Sequence, residues 1–190
     1  MALVVALIVL AALALAGAAL IRAVDTTAAI AGNLSFREAS IPPVNAAVEE
    51  AFAVLYESGL VADRGQSSAG SGYYAMRQPG EDARGVPRAL QKLDAQFPVR
   101  TIDAGNGFTV RYVIERMCAQ PGPATAVHCA LVPPLSSAVP AADPETAPPM
   151  VPVFRVSVRV DGPRGALTYA QAAIRDSAPP HRMAWRILGE

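Results

Sequence analysis

MALVVALIVLAALALAGAALI, residues 1–21, contains no charged or polar side chain and a single glycine, Gly17. Wound into an α-helix at 1.5 Å per residue it would be about 31 Å long, enough to cross the roughly 30 Å hydrocarbon core of a bilayer. The rest of the chain is therefore read relative to a membrane. Arg22 and Asp25 bring charge, yet Val24, Ala28, Ala31 and Leu34 recur at three- and four-residue spacing, so the helical pattern continues past the apolar run. The spacing predicts one N-terminal rod, half in a membrane and half outside it. Gly32 and Asn33 are its weak points, the glycine costing roughly 1 kcal/mol of helix stability.

The start lacks the basic residues that precede the apolar core of a secretory signal or an ordinary signal anchor. A cleaved signal peptide, cut at Ala14-Leu15-Ala16 or Gly17-Ala18-Ala19, is the competing reading and would release a soluble protein. At Ser40-Ile41-Pro42-Pro43 the helix must break or kink, because proline lacks an amide proton and disfavours a helical residue before it. Proline is accepted in a first turn, so a new helix can start there. In it Val44, Val48, Phe52 and Leu55 form one stripe, widened by Ala47 and Ala51, that packs on the head. Ser58-Gly59 ends it. The organisation expected is a stalk over residues 1–57 and one globular head over 58–190.

Within the head, Gly59 to Gly85 reads as loop with Tyr73-Tyr74 as its apolar anchor, and Val86, Leu90, Leu93 and Phe97 as a short helix. After the turn signal Ala104-Gly105-Asn106-Gly107 the period changes to two. Phe108, Val110, Tyr112 and Ile114 share one face; Thr109, Arg111, Val113 and Glu115 share the other. Val156, Val158 and Val160, in phase with Phe154, mark a second strand. Leu167 to Arg175 is its partner, with an inward face that the sequence leaves open. Met183, Trp185 and Ile187 mark a last strand on which the sole tryptophan is expected to close the core. Residues 133–150, with six prolines and no periodicity, read as an extended surface excursion. The fold class is α+β, a long helix on a small antiparallel sheet.

Sixteen basic and sixteen acidic residues cancel, which leaves no electrostatic footprint for nucleic acid. Cys118 and Cys129 flank Pro121-Gly-Pro123, a segment that turns the chain back, and their spacing predicts a disulfide. Such a bond stabilises by roughly 2.5–3 kcal/mol in the chain-entropy model and needs an oxidising compartment. Two free thiols, or a metal site using His128 beside Cys129, are the other readings of the same pair. None of the common catalytic motifs is present: no G-x-S-x-G, H-E-x-x-H, P-loop or G-x-G-x-x-G. His128 and His181 sit among loop residues, and Glu49 and Glu50 lie opposite the valine stripe as solvated charges. No catalytic residue, cofactor or metal is expected.

Met1 to Leu10, Ala31-Gly-Asn-Leu34 and Asn45-Ala-Ala-Val-Glu-Glu-Ala51 resemble the N-terminal region of PilX-type minor pilins of bacterial type IV pili. Arg111 to Cys118, Phe154 to Val160 and Tyr169-Ala-Gln171 resemble the heads of the same proteins. The resemblance implies a leader cut on the cytoplasmic face, a methylated Met1, and an assembly helix carrying Val5, Leu7 and Leu10. That helix would first anchor the subunit in the inner membrane with the head in the periplasm, then pack in the core of a surface fibre. Implied partners are other minor pilins, the major pilin and an inner-membrane assembly platform. Val5 stands where major pilins carry a glutamate, a departure shared with related tip subunits and one that implies a tip or priming role. The alternative function is a periplasmic binding module, secreted after signal cleavage or tethered by the helix.

Overall fold

The computed structural model describes residues 1–92, 97–134 and 149–188. Leu93 of the short helical stripe, and most of the proline-rich excursion (135–148), lie outside the described residues. The chain forms two compact units, Met1–Ala39 and Ser40–Glu190.

The first unit is a single helix, α1 (Ala2–Ala39), with no buried residue. It is long and apolar enough to cross a membrane. The helical break falls where the prolines require it. Pro42 and Pro43 have no N–H to offer the carbonyls of Glu38 and Ala39, so α1 ends there and α2 (Ile41–Tyr56) begins with its prolines in the first turn.

In the second unit α2 packs on one face of a sheet. Its strands are β1 (Tyr73–Tyr74), β2 (Arg100–Gly105), β3 (Phe108–Arg116), β4 (Leu131–Val132), β5 (Val151–Asp161), β6 (Leu167–Arg175) and β7 (His181–Leu188); α3 (Arg88–Lys92) is a short helix between β1 and β2. The order across the sheet is β1-β3-β5-β6-β7, with β2 also paired to β3 and β4 to β5. α2 belongs to this unit, which begins at Ser40.

The sheet is mixed, which corrects the expectation of a purely antiparallel one. Tyr73-Tyr74 pairs parallel to β3, Tyr73 opposite Ile114, while the other pairings are antiparallel. Gly72 makes this approach possible. At φ +68° it bends the chain so that its carbonyl accepts the Ile114 amide at 2.9 Å, and a Cβ there would lie 3.0 Å from the Arg100 side chain. β2 is likewise a strand, in a stretch where the sequence pattern signals only a turn. It meets β3 across Asn106-Gly107, both at positive φ, as a tight hairpin requires.

Two apolar clusters lie on opposite faces of the sheet. The larger joins Val44, Ala47, Val48, Ala51, Val54 and Leu55 of α2 to Val110, Tyr112 and Ile114 of β3, Phe154 to Val160 in alternation on β5, and Ala170, Ala172 and Ile174 of β6. This settles the inward face of β6. The smaller gathers Tyr74, Val86, Ala89, Leu90, Val113 and Tyr169. Tyr73 and Tyr74 thus enter different clusters, as consecutive strand residues must. Trp185 does not close the core: it is 36% exposed on β7, beyond the strands that α2 covers. A helix about 10 Å across cannot shield five strands spaced about 4.8 Å apart.

Candidate functional site

Three regions carry the chemistry that the fold makes available. On α1 every large apolar side chain from Met1 to Leu34 is half exposed or more, including Val5 at 59%, Leu7 at 59% and Leu10 at 63%. The exposure continues past Arg22, through Val24, Ile30 and Leu34. Thr26 and Thr27 turn their hydroxyls back to the carbonyls of Arg22 and Ala23, each at 2.8 Å, so neither needs an outside partner for its proton. Arg22 and Asp25 are the first charges along the helix, placed where an apolar span of 21 residues would reach the membrane surface.

The second region is the seam between α2 and the sheet. Val44, Val48 and Leu55 are buried as the stripe predicted, and Val54 joins them; Phe52 is half-buried at the margin. Glu49 and Glu50 are not simply solvated. Glu50 accepts from Arg100 of β2 at 2.8 Å, and Glu49 pairs with Arg182 of β7, whose guanidinium lies 4.6 Å from the Phe52 ring centre. Charges on β2 and β7 therefore bracket the helix from both sides. At its C-terminus the Tyr56 hydroxyl donates to Asp176, which also pairs with Arg64, and Arg64 stacks over Tyr56 at 4.7 Å. Burial, reinforced by the Asp176 carboxylate, pushes the Tyr56 phenol well above its ordinary value.

The third region is the end of β3. Cys118 and Cys129 are bonded to each other, which removes both the free-thiol reading and the metal reading that needed Cys129 as a thiolate. Between them Val127 is 84% exposed. The cysteines meet as an isolated bridge, while β4 pairs with β5. Just before them Glu115 is fully buried. Its carboxylate accepts the Gln78 amide at 2.8 Å and two guanidinium N–H groups of Arg155, the shorter at 2.6 Å; Arg155 also holds Glu81 at 2.6 Å. Burial raises the Glu115 carboxyl above the ordinary glutamate range even though Arg155 and the Gln78 amide pull it down.

The neighbouring Arg116, also buried, donates to the carbonyls of Ala75 at 3.0 Å and Gly122 at 2.6 Å. Two loops are thereby tied to the end of one strand. They leave between them an open cleft of about 770 Å³, lined by Met76, Arg77, Glu81, Met117, Cys118 and His128 among others. Among the described residues no group of three or more His, Cys, Asp or Glu side chains could hold a metal ion.

No family model, curated protein or solved structure matches the chain. The buried carboxylate and its arginine were invisible as a site in the sequence, because parity placed Glu115 beside Thr109 and Arg111 on an outward face. The loop that covers it, carrying Gln78 and Glu81, is more than thirty residues away in the chain.

Proposed function

We propose that this protein is a structural subunit of the minor-pilin kind, which anchors in the inner membrane by α1, holds its head in the periplasm and enters a type IV pilus through helix packing. Its partners on this reading are other minor pilins, the major pilin and the inner-membrane assembly platform, and its place is a tip or priming complex. One observation carries the proposal. At 1.5 Å per residue α1 is about 57 Å long, nearly twice the hydrocarbon thickness of a bilayer, and its apolar side chains remain exposed far beyond the length that a membrane can cover. A tether needs only the first half; a helix that also packs with other helices has a use for the whole. The disulfide agrees with an exported head.

A membrane-tethered periplasmic binding module is the second reading, favoured by the cleft beside the disulfide. Quantitative mass spectrometry of fibres sheared from the native host separates the two. Recovery of this chain in the fibre fraction, in few copies per pilus, is expected. Its confinement to the membrane fraction while fibres form normally would overturn the pilin reading.

A further inference from the structure

β7 ends the sheet. Among the described residues it pairs only with β6, and its first six residues, His181 to Arg186, are exposed. The edge carries arginines but is neither short nor interrupted by proline. It is eight residues long, Pro179 and Pro180 precede it without entering it, and the irregularity in its pairing lies near Met183, so Ala184 to Leu188 are in regular register with β6. It also displays apolar surface, Met183 at 42% and Trp185 at 36%.

Beside this edge, on the sheet face away from α2, is an open groove of about 340 Å³ floored by Val153, Ala173 and Ala184 and bounded by Met117, Gln171 and Arg186. Ala184 and Arg186 stand opposite Ala173 and Gln171 and so turn to the groove side, whereas Trp185, opposite Ala172, turns to the other. The strand carries His181, Arg182 and Arg186 and no acidic residue. Glu49 answers Arg182, but Arg186 has no ion-pair partner among the described residues.

From these features we infer that β7 accepts an extended segment of another polypeptide as an added strand, a segment in which acidic residues alternate with small apolar ones. Main-chain hydrogen bonds to the open edge supply the attachment, and alternate side chains enter the groove or lie against Trp185. The charge on β7 selects the acidic partner. It also argues against a second copy of this chain, because β7 paired with β7 would set its arginines among those of the other strand, and like charges facing each other across a sheet are destabilising. The inference goes beyond the pilin reading and stands or falls separately from it, since it concerns the head alone.

Trp185 is the only tryptophan in the chain and lies on the strand in question, so it reports binding directly. The full-length protein in detergent micelles is titrated with three ten-residue peptides: valine alternating with glutamate, valine alternating with lysine, and the glutamate peptide with every amide N-methylated. Trp185 emission and amide hydrogen exchange of β7 are followed together. The glutamate peptide is expected to give a saturable change and slowed exchange, to bind roughly tenfold more tightly than the lysine peptide, and to lose binding on N-methylation. Arg186→Glu, at an exposed position, should weaken or reverse the charge preference, with circular dichroism verifying an intact fold. Absence of saturable change in both readouts, equal binding of the N-methylated peptide, equal or tighter binding of the lysine peptide, or self-association that already protects β7 would each overturn the inference.

Discussion

Glu115 has its carboxylate met from two directions, by a backbone amide of one loop and by the guanidinium of a neighbouring strand, and still its carboxyl is harder to ionise than an ordinary glutamate. Removal from water outweighs the compensation. The sign of the consequence follows from linkage. A folded state that holds the proton more tightly than the unfolded chain gains stability from it, fully at pH below the ordinary value of 4.5, and loses that gain as pH rises through the raised folded value. Carboxylates held below their ordinary range, such as Asp82 with its amide and Arg84 partners acting against its desolvation, respond in the opposite sense and are lost as pH falls. The Glu115 contribution is therefore isolated by difference. Thermal unfolding of wild type and Glu115→Gln between pH 4 and pH 7 is expected to show the wild type losing melting temperature relative to the variant as pH rises, the variant having no charge to bury. Parallel curves would mean that the carboxyl titrates at its ordinary value. Nothing in the local sequence announced this residue. Alternation correctly placed it on the face away from Tyr112 and Ile114, but which loop would cover that face depended on contacts remote in the chain.

At the scale of elements, the parts with a strong period were legible and those with a weak one were not. The α2 stripe, the alternation of β3 and the valines of β5 each set three or more large apolar side chains in phase. β2 alternates too, but its inward residues are only Ile102 and Ala104, too small a signal against the glycines that follow. β1 has two residues and no period at all; its tyrosines were visible as anchors, whereas their parallel pairing was not. Burial, more than side-chain size, should decide the cost of truncating α2. Leu55 is 4% exposed and Phe52 sits at the margin under Arg182, so Leu55→Ala should cost roughly 2–5 kcal/mol and Phe52→Ala less than the 3–5 kcal/mol usual for a buried phenylalanine. Chemical denaturation of the two variants checks the order, and a larger loss at Phe52 would show that the helix margin matters more than its centre. Replacing Cys118 and Cys129 together with serine should cost about 2.5–3 kcal/mol for an 11-residue closure and leave the sheet folded at low temperature, which circular dichroism and chemical denaturation of the variant beside the wild type can follow.

Taken whole, the molecule joins a helix with no buried residue to a head whose core is complete without it. A protein that exposes so long an apolar helix must cover it with something, since water would oppose leaving that surface bare. Lipid can cover the first 21 residues and other helices the remainder. The two halves can be tested with one kind of substitution at two places. Leu10→Arg puts a charge near the centre of the apolar span and should reduce membrane insertion, at a cost of about 2.5–3.5 kcal/mol on the insertion scale. Leu34→Arg puts the same charge on the exposed stripe beyond the membrane, where insertion does not sense it but a neighbouring helix would lose an apolar contact and meet an unpaired cation. Alkaline extraction of membranes and recovery of the chain in sheared fibres are measured on both variants in the native host. On the pilin reading Leu10→Arg lowers both quantities, and Leu34→Arg leaves extraction unchanged while lowering fibre recovery. A tethered binding module would register the first substitution and ignore the second, because past the membrane its helix would have only water to meet.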